Sequence, residues 1–215
     1  MVGINERLIE ASKVGSKIEL KALLKDPDCN VMHKGPGDKT ALMWVAERGN
    51  KACLDLLLPR SDALAKDKDG RAALKYAVCA GSETCVSILL PVSDTLVKDN
   101  REWTLLMYAA CYGHDACLKL LLPVSNALAQ DDRGWTALMH AAASDSDACV
   151  QLLLPVSDVL AKDEHGSTAS MWARREGCKS LAQLIDAYAL SQTDHAAIEV
   201  VLSPGSVRGK STSRI

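Results

Sequence analysis

The sequence contains no phenylalanine, and aromatic residues occupy only 4% of its 215 positions. A substantial core is still available, because 48% of the residues are hydrophobic; it must be built from leucine, alanine, valine and cysteine. Neither sign of charge dominates, since 25 basic and 27 acidic residues give a net charge of -2 and form no basic stripe or acidic block. We therefore expect no nucleic-acid partner.

The sequence also lacks the motifs of common catalytic and targeting segments. Its longest apolar runs are far shorter than the roughly 20 residues that a membrane span requires. The first residues, Met1 to Arg7, contain no apolar signal-peptide core. No glycine-rich dinucleotide or phosphate loop and no Gly-x-Ser-x-Gly turn occurs. We predict a cytoplasmic protein that does not insert into membranes, is not an enzyme and uses no cofactor or metal.

The spacing of the cysteines argues against both disulfides and zinc. No Cys-x-x-Cys pair occurs. Four of the eight cysteines are 32 residues apart: Cys53, Cys85, Cys117 and Cys149. Stacked helices lie about 8–10 Å apart, whereas a disulfide needs Cα atoms within about 7 Å and a zinc ion needs converging sulfurs. We predict buried, reduced thiols, with Cys79 and Cys111 as candidates for an exposed, redox-sensitive thiol.

A 32-residue repeat runs from Thr40 to Met171 and predicts the architecture. The phrase Thr40-Ala41-Leu42-Met43 recurs at this step in related forms, and the first four of its five copies are followed by an aliphatic triplet and proline. These prolines are Pro59, Pro91, Pro123 and Pro155. A period of this length indicates a solenoid. Each unit must bury its apolar face against its neighbour, so the array is expected to fold as one body.

Residues 70–101 show what one unit is expected to contain. Apolar residues three to four positions apart predict a short helix from Ala72 to Cys79. Gly81 can end this helix in the left-handed conformation, and Ser82 can cap the start of a second helix. Pro91 is expected to stop the second helix because proline cannot continue one. A unit is thus a helix pair followed by an extended connection.

The residues Gly-x-Thr-Ala-Leu-Met-x-Ala-Ala at Gly134, with Gly113-His114 and Cys-Leu-x-Leu-Leu-Leu of the preceding unit, closely resemble the ankyrin repeat. The resemblance covers roughly residues 5–190 and holds in five or six registers. It implies an all-α, ankyrin-type repeat solenoid of about six helix-turn-helix units with connecting hairpin loops. It also implies a module that binds proteins and carries out no catalysis.

The units depart from the usual ankyrin Thr-Pro-Leu-His phrase. The period is 32 residues, one fewer than is typical of ankyrin repeats, and alanine or leucine replaces the proline. The histidine is also replaced, so its hydrogen bonds must be made otherwise or be absent; its positions are Met43, Lys75, Met107, Met139 and Met171. The phrase Leu-Leu-Leu-Pro-x-Ser-Asp-x-Leu-x-Lys-Asp resembles an ankyrin subfamily expanded in some parasitic protists.

We predict a single array over residues 1–190 and a C-terminal extension over 191–215. The predicted units are about 5–37, 38–69, 70–101, 102–133, 134–165 and 166–190. The last helix is expected to span Lys179 to Leu190. In the extension, Ala196 to Leu202 suits a short helix, and Ser203 to Ile215 reads as a flexible tail. This tail is either a plain disordered terminus or a docking or phosphorylation segment.

In ankyrin-like stacks the hairpin tips and first helices form the concave surface, where the units of this chain differ most. Trp, Tyr and Arg on this surface are the candidates for partner binding, since these residue types most often carry interface energy. For Trp103 and Trp135, packing against the adjacent hairpin is an equal alternative, and both roles can coexist. The predicted partner-binding residues are Arg71, Arg101, Trp103, Tyr112, Arg133 and Trp135.

Three single residues have predicted structural roles. His140 shares its repeat phase with Trp44 and Tyr76, so we expect it to pack against the adjacent helix. His114 follows a glycine at the start of a second helix, where a capping role is expected. Glu102 stands where other units have a turn glycine, which predicts a strained backbone and a weak joint.

The predicted function is that of an adaptor or scaffold with a protein partner, present as a monomer or in weak self-association. The alternative is a structural or cytoskeletal assembly unit that uses its outer surface or the C-terminal tail.

Overall fold

The computed structural model describes residues 3–202, with side chains to residue 192, and this part of the chain forms twelve α-helices. The first six are α1 (Ile4–Val14), α2 (Lys17–Leu23), α3 (Ala41–Glu47), α4 (Lys51–Leu57), α5 (Ala73–Cys79) and α6 (Glu83–Leu89). The second six are α7 (Leu105–Cys111), α8 (Asp115–Leu121), α9 (Ala137–Ala143), α10 (Asp147–Leu153), α11 (Ala169–Arg175) and α12 (Lys179–Leu202).

The helices stack in two layers. Odd-numbered helices contact the odd-numbered helices of neighbouring units, and α2, α4, α6, α8 and α10 form the second layer in the same way. One continuous cluster of buried apolar side chains fills the space between the layers, from Leu8 to Ile185. The fold prediction of an all-α repeat solenoid with about six helix pairs is therefore confirmed.

The local signals at the helix ends act as predicted, with one difference. Gly81 ends α5 in the left-handed region (φ 65°), and the Ser82 side chain accepts the N–H of Cys85 at 3.4 Å. The second α-helix of this unit, α6, ends at Leu89, just before Pro91, but the backbone does not become extended at once. After α6 the chain continues in a 3-10 turn over Leu90–Val92, because a proline without an N–H fits the first turn of such a helix.

Methionine partly replaces the histidine of the usual ankyrin phrase. The Sδ atoms of Met43 and Met107 accept the backbone N–H of Thr40 and Thr104, each at 3.4 Å. Met107 is fully buried, so its thioether both fills the core and satisfies a helix N-terminus.

Glu102 has the backbone conformation that the sequence predicts. Its φ is 60°, in the region that glycine occupies at the equivalent Gly70 and Gly134, both with φ 77°. Asp38, at the equivalent position two units earlier, also has φ 60°, and Asp145 has φ 52° where Gly113 of the preceding unit has φ 69°. A side chain at these angles strains the backbone.

The C-terminal helix is longer than predicted. The sequence predicts an end at Leu190, whereas α12 runs from Lys179 to Leu202 without a break. Residues 191–202 contain neither glycine nor proline, so no residue in them stops the helix. The predicted flexible tail, residues 203–215, lies outside the described residues. Within the described residues, no helix combines the length and apolar character needed to cross a membrane.

Candidate functional site

A buried aspartate holds the base of the hairpin tip in four units. In one of them, Oδ1 of Asp131 accepts the backbone N–H groups of Arg133 at 3.0 Å and Trp135 at 2.8 Å. Its Oδ2 lies 3.2 Å from Nε2 of His140 on the following helix. One carboxylate thus fixes the tip and ties it to its first helix.

The same arrangement recurs at every 32-residue step. The equivalent aspartates are Asp67, Asp99 and Asp163, and their ring partners nine residues on are Tyr76, Tyr108 and Trp172. Each of these aspartates also accepts two backbone N–H groups of its own tip. The predicted site does not include them. Their constant nine-residue distance from a ring with an N–H or O–H is nevertheless visible in the sequence.

Side chains from the tips and first helices alternate in one column along the array, which we name the ring column. In order, it contains Trp44, Lys39, Tyr76, Arg71, Tyr108, Trp103, His140, Trp135 and Trp172. Lys39, Trp103 and Trp135 each lie between the first-helix ring of their own unit and that of the next. Arg71 reaches Asp99 of the next unit, and Nζ of Lys75 lies 4.8 and 4.6 Å from the ring centroids of Tyr76 and Tyr108. The column therefore links units that are joined elsewhere by helix contacts.

In the N-terminal half of the ring column the tip residues are cations. Nζ of Lys39 is 4.2 Å from the ring centroids of both Trp44 and Tyr76. Arg71 ion-pairs with Asp69 at 2.9 Å, and its Nε lies 3.9 Å from Oδ2 of Asp99 in the next unit. These contacts combine cation–π attraction with ion pairing.

In the C-terminal half the tip residues are tryptophans. The ring centroid of Trp103 is 4.9 Å from Tyr108 and 4.3 Å from His140. That of Trp135 is 5.0 Å from His140 and 4.3 Å from Trp172. Both tryptophans are only partly buried and pack on the core. The two tryptophans therefore have a packing role, although their ring partners lie on first helices, whereas the sequence alternative places them on the adjacent hairpin.

His140 is buried between the two tip tryptophans, whereas the sequence predicts packing against the adjacent helix, and it is uncharged near neutral pH. Its desolvation lowers the pKa to about 4, against the opposing attraction of the Asp131 carboxylate. Because the carboxylate can only accept, Nε2 of the neutral ring carries the proton and donates it to Asp131. His140 thus takes the place of the tyrosine hydroxyl found in two other units.

Three of the six predicted binding residues are exposed. Tyr112 exposes 55% of its surface, the Arg133 side chain 50%, and Arg101 is also exposed. The guanidinium of Arg133 lies 4.9 Å from the Trp135 ring centroid. Arg71, Trp103 and Trp135 instead belong to the ring column. The structure therefore divides the predicted patch into an exposed set and a supporting set.

The Tyr112 ring stacks on His114, with centroids 6.0 Å apart and an interplanar angle of 21°. His114 lies at the N-cap position of α8, as predicted, but its side chain makes no cap hydrogen bond to this helix. Its Nε2 lies instead 3.1 Å from the carbonyl oxygen of Cys79 in the preceding unit. His114 thereby bridges two units and holds Tyr112 in place.

The thiols are placed as the repeat predicts. The four phase-locked cysteines are fully buried on the second helices, and burial raises the pKa of Cys117 to about 11. Cys79 and Cys111 are half-buried, and burial raises the pKa of each thiol as well. A thiolate is therefore disfavoured at both candidate redox positions. No group of three or more His, Cys, Asp or Glu residues within the described range is placed to hold a metal ion.

Comparison with known families agrees with this architecture. The family described as "Ankyrin repeats (3 copies)" matches residues 8–99, 85–163 and 106–194. These overlapping segments span most of the sequence, so the chain belongs to the ankyrin-repeat family. Members of this family are generally protein–protein interaction modules and are typically not catalytic. No curated protein matches the sequence.

Two solved structures illustrate the likeness of fold. One is a chain from the complex of a predatory endopeptidase with an immunity protein, from Bdellovibrio bacteriovorus. It has a TM-score of 0.74 and 23% identity, and the match covers 84% of this chain and 97% of that one. The other is an ankyrin repeat domain from Acinetobacter baumannii, with a TM-score of 0.72, 23% identity and coverage of 85% and 97%.

Proposed function

We propose that the protein is a non-catalytic, cytoplasmic adaptor or scaffold that binds a protein partner through its hairpin tips and first helices, the concave surface of ankyrin stacks. The observation that carries this proposal is the exposure of Arg101, Tyr112 and Arg133 on a surface held by buried aspartates. Tyr and Arg are prominent among residues that dominate binding energy. A fold neighbour whose structure was solved within a protein complex is consistent with this role.

The exposed residues stand on ordered supports, which favours binding. The N–H of Arg101 is bonded to Asp99 at 2.9 Å, and that of Arg133 to Asp131 at 3.0 Å. Stacking on His114 restricts the Tyr112 ring. A surface that is already ordered loses less conformational entropy when it binds. Arg71, Trp103 and Trp135 support the patch by fixing the spacing of its units.

The test is affinity capture from a native cell lysate with mass-spectrometric identification. The test variant carries Arg101→Ala, Tyr112→Ala and Arg133→Ala, which remove exposed groups and leave the ring column complete. The control variant carries Ser87→Ala, Lys119→Ala and Gln151→Ala, three exposed positions at one repeat phase on the second helices. Circular dichroism and urea unfolding check that both variants fold.

We expect a partner that wild type and the control variant retain and the test variant loses. A partner retained equally by all three proteins would place binding elsewhere. The assembly-unit alternative predicts instead a particle size that grows with protein concentration in light scattering. A constant monomer mass would contradict that alternative.

A further inference from the structure

Four leucines at one repeat phase are exposed, in contrast to the buried leucines of the core. Between 53% and 69% of the surface of each is accessible, whereas the leucines of the second helices that face the core are fully buried. We call the four the leucine row: Leu64, Leu96, Leu128 and Leu160. A file of exposed valines precedes them at the same step: Val92, Val124 and Val156. Ordered apolar side chains in such a file mark an interaction surface.

The local fold does not require leucine at these positions. Each leucine lies in a tight turn whose first residue is Asp or Asn, as in Asp62 to Ala65, where Oδ1 of Asp62 accepts the Leu64 N–H at 2.8 Å. The turn needs the Asp or Asn, while the third position tolerates any small or polar residue. The repeated leucine therefore has no role in forming its own turn.

The turns are fixed to one another, so the leucine row has a constant spacing. The Thr95 hydroxyl donates to the carbonyl oxygen of Val124 at 2.9 Å. Nζ of Lys98 donates to the carbonyl oxygen of Gln130, and Nε2 of Gln130 donates to that of Lys162, at 3.0 and 3.4 Å. Neighbouring connections thus follow the step of the helix stack, which is about 8–10 Å.

We propose that the leucine row is a second docking surface, whose occupant is an amphipathic α-helix of a partner protein with one apolar residue in every heptad. Seven residues of an α-helix rise about 10.5 Å, close to the step of the stack. Four leucines at this step span about 30 Å, the length of a helix of about 20 residues. The C-terminal end of the row already borders a helix, since Leu160 lines an open cleft with Tyr188 and Gln192 of α12.

Charge indicates a partner helix with basic residues beside its apolar file. Asp62, Asp94 and Asp158 precede the leucines by two residues, are exposed, and form no ion pair with any described residue. On the other flank, lysines follow three of the leucines by two residues: Lys66, Lys98 and Lys162. Lys98 bonds to Glu102 at 3.0 Å and to a carbonyl oxygen of the next unit, whereas Lys66 and Lys162 are exposed and form no ion pair with any described residue. Unpaired charge is therefore present on both flanks of the leucine row, negative at three positions and positive at two. Lysines of the occupant would pair with the more numerous aspartates.

The test uses a synthetic helical peptide of about four heptads, with leucine once per heptad, lysine on one flank, and alanine and glutamine elsewhere. A second peptide has the same composition with its leucines moved off one face, and a third has glutamate in place of lysine. Binding to the full chain is measured by fluorescence anisotropy at two salt concentrations. The protein variants are Leu64→Asn, Leu96→Asn, Leu128→Asn and Leu160→Asn combined, and the Arg101→Ala, Tyr112→Ala, Arg133→Ala variant as a control.

The wild type and the tip control are expected to bind the first peptide. The fourfold leucine variant should bind at least about a hundredfold more weakly, since it loses every apolar contact of the leucine row. The second and third peptides should also bind weakly to the wild type. Higher salt should weaken the binding of the first peptide, because salt screens its lysine charges. Absence of binding by the wild type, or equal binding by the leucine variant, would overturn the proposal. So would a wild-type dimer that the leucine variant loses in sedimentation, because the occupant would then be a second copy of the chain.

Discussion

At the scale of single residues, the hairpin tips combine anchored aspartates with strained turns. Glu102 adopts φ 60° where the two neighbouring units use Gly70 and Gly134, and Asp38 has the same φ two units earlier. We predict that Glu102→Gly raises the free energy of unfolding by about 0.5–1 kcal/mol, because relief of the left-handed strain outweighs the greater freedom of glycine in the unfolded chain. Urea unfolding measures the change.

A matched substitution separates strain from charge at this position. Glu102→Ala removes the exposed ion pair with Lys98, as the glycine variant does, but keeps a Cβ at the strained angle. We expect it to gain no stability. Equal gains for both variants would show that the side chain, and not the backbone conformation, is unfavourable.

The aspartate at the base of each tip is expected to matter far more than its exposed neighbour. Asp131→Ala leaves two backbone N–H groups and the His140 ring without their acceptor, so we predict a loss of about 2–4 kcal/mol in unfolding free energy. Asp132→Ala changes an exposed side chain next to it and should alter stability by less than about 0.5 kcal/mol. Similar losses for both would refute the anchoring role. Urea denaturation compares them.

Burial of His140 makes stability depend on pH. Its folded pKa of about 4 lies below the ordinary value of 6.5, so the unfolded chain binds more protons between these values. The free energy of unfolding therefore falls as the pH drops through this window, by up to about 3 kcal/mol from this residue. His140→Tyr copies the ring found at Tyr76 and Tyr108 and should flatten that part of the curve. An unchanged slope in urea titrations from pH 7 to 4 would contradict the assignment.

At the scale of one element, each second helix of the central units carries a buried cysteine that reports on its opening. Cys117 of α8 is fully buried and its pKa is raised to about 11, while Lys119 of the same helix is exposed. We predict that maleimide labels Cys117 at least about a hundredfold more slowly than the cysteine introduced by Lys119→Cys. In denaturing urea the two should react alike. Equally fast reaction under native conditions would mean that α8 is not held in the stack.

The ring column couples neighbouring elements through side chains that the sequence places on the binding surface. Trp103 touches rings of two units, so a substitution there changes stacking together with any contact to a partner. Loss of binding on Trp103→Ala would therefore not by itself locate the partner. The exposed Arg101, Tyr112 and Arg133 give a cleaner test.

At the scale of the whole molecule, the stability of a stacked array is approximately a sum over units and their interfaces. The strained turn at Glu102 makes one joint weaker than the next. We predict faster amide hydrogen exchange across residues 95–110 than across residues 127–142, the same segment one unit later. Glu102→Gly should reduce the difference in exchange rate between the two segments. Equal protection of the two segments in the wild type would remove the idea of a weak joint.

The sequence alone determined the architecture, because each repeat places the same residue types at the same positions. Helix positions, the glycine stop at Gly81, the cap at Ser82 and the buried cysteine phase each depend on residues close in sequence. The strained turn at Glu102 was predictable for the same reason, since a missing glycine is visible against its neighbours.

The tertiary structure decided which side chains on the predicted surface are available. Trp103 and Trp135 belong to a residue type that is common in binding sites. Only the contacts between units show that they lie in the ring column. Likewise, only the structure shows that the His114 side chain bonds to the preceding unit and not to its own helix. The exposure of the leucine row also depends on the turns around it. These properties arise from contacts between residues about one repeat apart, which local sequence preferences do not encode.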